Sequence, residues 1–198
     1  MPAAMKLFTC SSFRWVAGLV QLAFFACCAA NAHELQETRA TLVQRDNTLV
    51  TMTLYVDLPQ VLYRSLSTQG SFVEFAAANA NLPADVFKLT FLRVQNRLQA
   101  EIRATRPSGQ ALTLQRWVWP KPAAVQAALR ERLMEAMVAP GEHSHLPPQE
   151  VRAEVVAVEP ITALRMEFPL VLQRVLVMSY RPKQVWVAPQ KLSADITF

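Results

Sequence analysis

Hydrophobic and polar residues alternate with a period of two over 39–45, where Ala40, Leu42 and Gln44 fall opposite Thr41, Val43 and Arg45. The same period returns over 48–57: Val50, Met52, Leu54 and Val56 share one face, and Thr51, Thr53 and Tyr55 the other. That period marks a half-buried strand, and the intervening Asp46-Asn47 tolerates the left-handed backbone of a tight turn. An N-terminal hairpin is expected.

The period then changes. A short helix is expected over 59–66 and an alanine-rich one over Phe72–Ala80. A third opens at Pro83, whose fixed φ suits a first helical turn. The break falls at Asn81-Leu82-Pro83, because proline disfavours helix at the residue before it. Val86, Leu89, Val94 and Leu98 are the expected buried positions of the third helix.

Arg106-Pro107-Ser108-Gly109 is a turn between strand segments 101–105 and 111–119, a second hairpin ending in Trp117-Val118-Trp119-Pro120. Over Pro122–Val138, Val125, Leu129, Leu133 and Ala136 recur at helical spacing, and Ala139-Pro140-Gly141 stops that helix. A loop follows over 142–148, since Pro147-Pro148 resists both helix and sheet ladder. Strands are expected over 151–158, 161–168, 171–180, 184–187 and 194–198, punctuated by Glu159-Pro160, Phe168-Pro169 and Arg181-Pro182. Strands, then helices, then strands predict a mainly β, α+β fold with helices inserted in its middle, in the form of an antiparallel β-sandwich.

The N-terminal 32 residues read differently. Lys6 and Arg14 precede an apolar core from Trp15 to about Ala30, interrupted by Gly18 and Gln21. That core is shorter than the roughly 20 apolar residues a bilayer span needs. It ends in Ala30-Asn31-Ala32, the small-x-small pattern of a signal-peptidase site. The expectation is a cleaved signal peptide over 1–32 and a single exported domain over 33–198, periplasmic or secreted. Met1 and Met5 serve equally as its start. A lipid-anchored alternative would keep Cys27 as an acylated first residue, although Phe24-Phe25-Ala26 is bulky for that signal.

Cleavage changes the chemistry available. Cys10, Cys27 and Cys28 all lie in the leader, so the mature domain has no disulfide and no thiolate metal site. Removing 32 of 198 residues leaves 166, enough for one sizeable core. The leader takes two basic residues and no acidic one, so the formal charge falls from +5 to +3. Without a Lys/Arg cluster, so mild an excess argues against nucleic acid as a partner. No later segment is long and apolar enough for a second membrane span.

Cleavage after Ala32 also makes His33 the first residue, and its α-amine and imidazole can chelate one metal ion. The other two histidines, His143 and His145, stand one residue apart in the proline-stiffened loop. In an extended tripeptide, alternation puts both imidazoles on one side. Neutral imidazoles suit copper, zinc or nickel. Copper(II) fits an amine-plus-imidazole set best, because it takes nitrogen ligands in tetragonal geometry and heads the divalent affinity order. Glu34 and Glu142 are available as oxygen ligands or as acceptors behind the imidazoles. The candidate metal site is therefore His33, His143 and His145, with Glu34 and Glu142. The competing reading is a chain terminus that begins with histidine, and a solvated polar loop.

A histidine at the mature N-terminus of a periplasmic β-sandwich resembles the CopC-like copper-resistance proteins and, more distantly, copper oxygenases with a histidine brace. The Ala32-His33-Glu34 junction resembles the extracytoplasmic start of some HupE/UreJ-type metal transporters. The resemblance covers a handful of residues around His33. It implies copper handling, His33 as an amine-plus-imidazole ligand, and a metal transporter or other envelope protein as partner.

Other chemistry finds little support. The chain has no G-x-S-x-G elbow, phosphate-binding glycine loop or H-E-x-x-H, and only four glycines. Ser144 lies between two histidines with no acid placed to complete a triad. Trp117 and Trp119 fall on one face of their strand, where they can pack together; with Trp186 they could instead line a ligand surface. The expected function is a periplasmic metal-binding protein, with copper as the metal. The alternative is an envelope interaction domain without metal or catalysis, which an exposed apolar patch beside an unpaired edge strand would favour. An enzyme ranks below both.

Overall fold

The structure, a computed structural model, describes residues 38–67, 69–138 and 146–182. The chain divides into two units, 1–36 and 37–198, and every described residue belongs to the second.

Strands β1 (Thr38–Gln44) and β2 (Leu49–Val56) form the expected hairpin, with Arg39 opposite Tyr55 and Gln44 opposite Val50. Asp46 holds its turn: one carboxylate oxygen accepts from the Thr48 N–H at 2.6 Å and from the Thr48 hydroxyl at 2.9 Å. Ala40, Leu42, Val50, Met52, Leu54 and Val56 are buried, as the alternation requires.

Three helices follow. Asp57 caps α1 (Leu58–Leu66), and Pro59 occupies its first turn. Helix α2 (Phe72–Ala80) opens with a reciprocal cap: Ser71 Oγ accepts from the Glu74 N–H at 3.2 Å, and Glu74 Oε2 accepts from the Ser71 N–H at 2.7 Å. Gly70 precedes it at φ +92°, and a Cβ there would lie 2.9 Å from Glu74 Oε2. The positive φ is what favours glycine there, and a side chain would also push the capping carboxylate aside. Helix α3 (Ala84–Glu101) buries Phe87, Phe91, Val94 and Leu98. The expected face is corrected here: Val86 and Leu89 are exposed, Leu89 by 59%. Two apolar stripes compete on this helix, and the one carrying two phenylalanines buries more area.

Strands β3 (Arg103–Thr105) and β4 (Ala111–Val118) make the second hairpin, with Gly109 at φ +90° in its turn. Helix α4 (Pro122–Val138) contacts each of the other three helices. Beyond the loop come β5 (Gln149–Val156), β6 (Arg165–Glu167), a 3-10 turn over Leu170–Leu172 and β7 (Val175–Tyr180). The expected strands over 161–168 and 171–180 are thus shortened. Pro169 opens the 3-10 turn, and Gln173 at φ +56° closes it, so β7 starts afresh at Val175.

The seven strands join in the order β6-β3-β4-β5-β2-β1-β7. Five of the six pairings are antiparallel, and β7 runs parallel to β1. The fold is mixed α+β. A sandwich requires a second, facing sheet, and none is found among the described residues. The buried side chains of β1, β2 and β5 instead pack in one cluster with those of α1, α3 and α4. The expected strands over 184–187 and 194–198 lie outside the described residues.

Candidate functional site

Two places on the sheet bear on function. The first is the end where β1 and β5 begin and β2 stops. Val56 pairs with Gln149 and Tyr55 with Arg39, so Thr38, Val56 and Gln149 close the same end of neighbouring strands. With strands about 4.8 Å apart, the starts of β1 and β5 are separated by about 10 Å.

Side chains lace this end to the helices. Asp57 accepts from the Gln60 N–H at 3.2 Å and is ion-paired with Arg132 of α4. Gln149 Oε1 accepts from the Leu58 N–H at 2.9 Å. The Thr38 hydroxyl donates to the Leu172 carbonyl at 3.2 Å, and Arg64 Nη1 to the Val171 carbonyl at 3.3 Å. Burial raises the Asp57 carboxyl above the usual carboxylate value, outweighing the Arg132 charge that lowers it. Burial likewise lowers Arg64, which the Asp57 charge opposes. Asp57 carries a sequence signal, a carboxylate directly before Leu58-Pro59 where the strand pattern ends. Its partner carries none, since Arg132 is 75 positions away.

His33, Glu34, Glu142, His143 and His145 all lie outside the described residues. The described chain begins at Thr38, five positions after His33, and resumes at Leu146, directly after His145. Among the described residues, no group of three or more His, Cys, Asp or Glu is placed to hold a metal ion.

The second place is β7, the last strand at one side of the sheet among the described residues. Leu176, Val177 and Tyr180 are exposed by 46%, 44% and 54%. The strand reads Val-Leu-Val-Met-Ser-Tyr, without charge or proline. At the opposite edge, β6 is three residues long and carries Arg165 and Glu167. Leu176, Met178 and Tyr180 stand in register with Arg39, Thr41 and Val43 of β1, on the face away from the helices. Much of the rest of that face is polar, although Val118, paired with Arg152, is exposed on it by 60%. Arg39 lies 4.6 Å over the Tyr55 ring, Glu150 pairs with Arg152, and Arg116 meets Glu154 at 2.8 Å.

Trp117 and Trp119 pack as expected. Their rings stack with centroids 5.8 Å apart, and Trp119 meets Phe91 edge-on at 6.2 Å. A β-bulge makes this possible: Arg116 sits at φ +53°, and the register of β4 on β5 shifts between Gln115 and Val118. Leu112 and Leu114 precede the bulge on the core side, and both tryptophans follow it there. Trp186 lies outside the described residues.

No family model, curated protein or solved structure matches the chain. No helix among the described residues is long and apolar enough to cross a membrane.

Proposed function

We propose that this is an exported, periplasmic metal-handling protein that takes copper, with His33, His143 and His145 as nitrogen donors and Glu34 and Glu142 beside them. The observation that carries this reading is topological. The chain enters β1 shortly after His33 and β5 shortly after His145, and both strands start at the same end of the sheet. A metal transporter or other envelope protein is the partner this reading implies.

Mass spectrometry of the exported protein tests whether the chain starts at His33. Copper(II) titration then compares that form with one carrying an extra glycine before His33. The extension keeps all three imidazoles but moves the α-amine, so the native form should bind more tightly. Equal binding by both would remove the amine from the site, and binding by neither would end the copper reading.

A second reading has its own observation. The uncharged, exposed edge of β7 supports an envelope interaction domain that acts through its sheet edge without a metal. Competition between that edge and a binding strand separates it from the first reading, because blocking β7 leaves copper affinity unchanged.

A further inference from the structure

We propose that the outer edge of β7 accepts, as an added strand, an extended segment of another protein that is apolar at alternate positions and flanked by acidic residues. The proposal rests on the interaction reading above and names the class of partner for it.

The two edges of this sheet are built in opposite ways. β6 shows the usual protection, being short and charged at both ends. β7 is a six-residue, uncharged, proline-free strand with apolar side chains exposed. Such an edge is a template for strand pairing. Added strands gain main-chain hydrogen bonds from the edge and specificity from every second side chain. Here Leu176, Met178 and Tyr180, backed by Val43, provide an apolar strip for alternate partner residues.

Charge selects the occupant. Arg181 follows the strand and is exposed, Arg174 precedes it and is engaged within the fold, and Arg39 lies in register with Leu176. No acidic residue occurs from 169 to 182. Acidic flanks on the incoming strand complement this surround. A second copy fits less well. Antiparallel self-pairing with the helices kept on one side sets Leu176 opposite Tyr180, and Arg181 opposite the apolar Val175 of the other copy, at both ends of the pair. An arginine against an apolar side chain at each end opposes that pairing, as arginines flanking an apolar strand do generally.

Two labelled peptides of alternating valine and threonine, one flanked by aspartates and one by lysines, test the proposal by fluorescence anisotropy with the exported protein. The aspartate-flanked peptide should bind at least about tenfold more tightly, given what like-charge contacts cost. Arg181→Glu, at an exposed position, should collapse that ratio with the circular dichroism spectrum unchanged. Val177→Lys should remove binding of both peptides. Equal binding of the two, unaffected by Arg181→Glu, would overturn the acidic partner while leaving strand addition standing. Binding of neither would overturn the proposal together with the interaction reading. A concentration-dependent dimer in sedimentation that excludes the peptides would assign the edge to a second copy. Binding that begins only after removal of 184–198 would assign it to the chain's own terminus, and either result overturns the proposal.

Discussion

Single carboxylates in this domain pull stability in opposite directions with pH. Glu74 and Asp46 accept backbone N–H bonds that hold them below their ordinary values, from Ser71 and Thr48 respectively. A lowered folded pKa contributes stability above the unfolded value, and that contribution is lost as pH falls through the folded pKa. Asp57 is raised by burial, so its contribution is present below its unfolded value of 3.8 and lost as pH rises through the folded pKa. Urea midpoints measured from pH 3 to pH 6 in roughly half-unit steps resolve the two. Against Glu74→Gln, the wild type should lose its advantage as the solution is acidified; against Asp57→Asn, it should gain. Ser71→Ala removes the hydroxyl that caps α2 and should cost about 1 kcal/mol.

At the scale of elements, α3 and β4 each resolve a conflict that their local pattern leaves open. On α3, Phe91 is fully buried against Trp119 while Leu89 is exposed. Phe91→Ala should therefore cost about 3–5 kcal/mol, and Leu89→Ala no more than about 0.5 kcal/mol, in urea unfolding. On β4, the bulge at Arg116 turns the strand's phase so that Leu112, Leu114, Trp117 and Trp119 all pack toward the core. A non-glycine residue at positive φ is strained by about 1 kcal/mol, and the exposed Arg116–Glu154 pair returns at most about that much. Arg116→Gly should be neutral or slightly stabilising. Deleting Arg116 should remove the extra residue of the bulge and leave Trp117 opposite the buried Ala153, so tryptophan emission should keep its wild-type position; a red shift would show that the bulge does not set the phase.

Among the described residues, the domain is one seven-stranded sheet whose buried face packs against the helices, with a laced end and an apolar edge strand at β7. The laced end ties β1, β5, α1, α4 and the turn over Leu170–Leu172 together through Thr38, Gln149, Asp57, Arg132 and Arg64. If copper is taken by His33, His143 and His145, binding requires those imidazoles to be neutral. Affinity should then fall as pH drops through the histidine range, near roughly 6.5 for unperturbed groups. A titration repeated at pH 7.5 and at about pH 5.5 checks it, and a pH-independent affinity would remove the histidines from the site.

The sequence by itself determined what depends on neighbours along the chain. The period of two over β1 and β2, the Asp46 turn and the punctuation at Asn81-Leu82-Pro83 follow from burial of one face and from backbone preferences. The three histidines are legible only as residue types and spacings, His33 after Ala30-Asn31-Ala32 and His143 and His145 one residue apart. Only the tertiary structure decided which distant segments meet. β5 lies beside β2 and β7 beside β1 in parallel, because register and neighbour are set by packing across the sheet. The same holds for Asp57 with Arg132, and for the phenylalanine stripe that wins on α3. Periodicity reports that a face is buried; what it is buried against depends on contacts far apart in sequence.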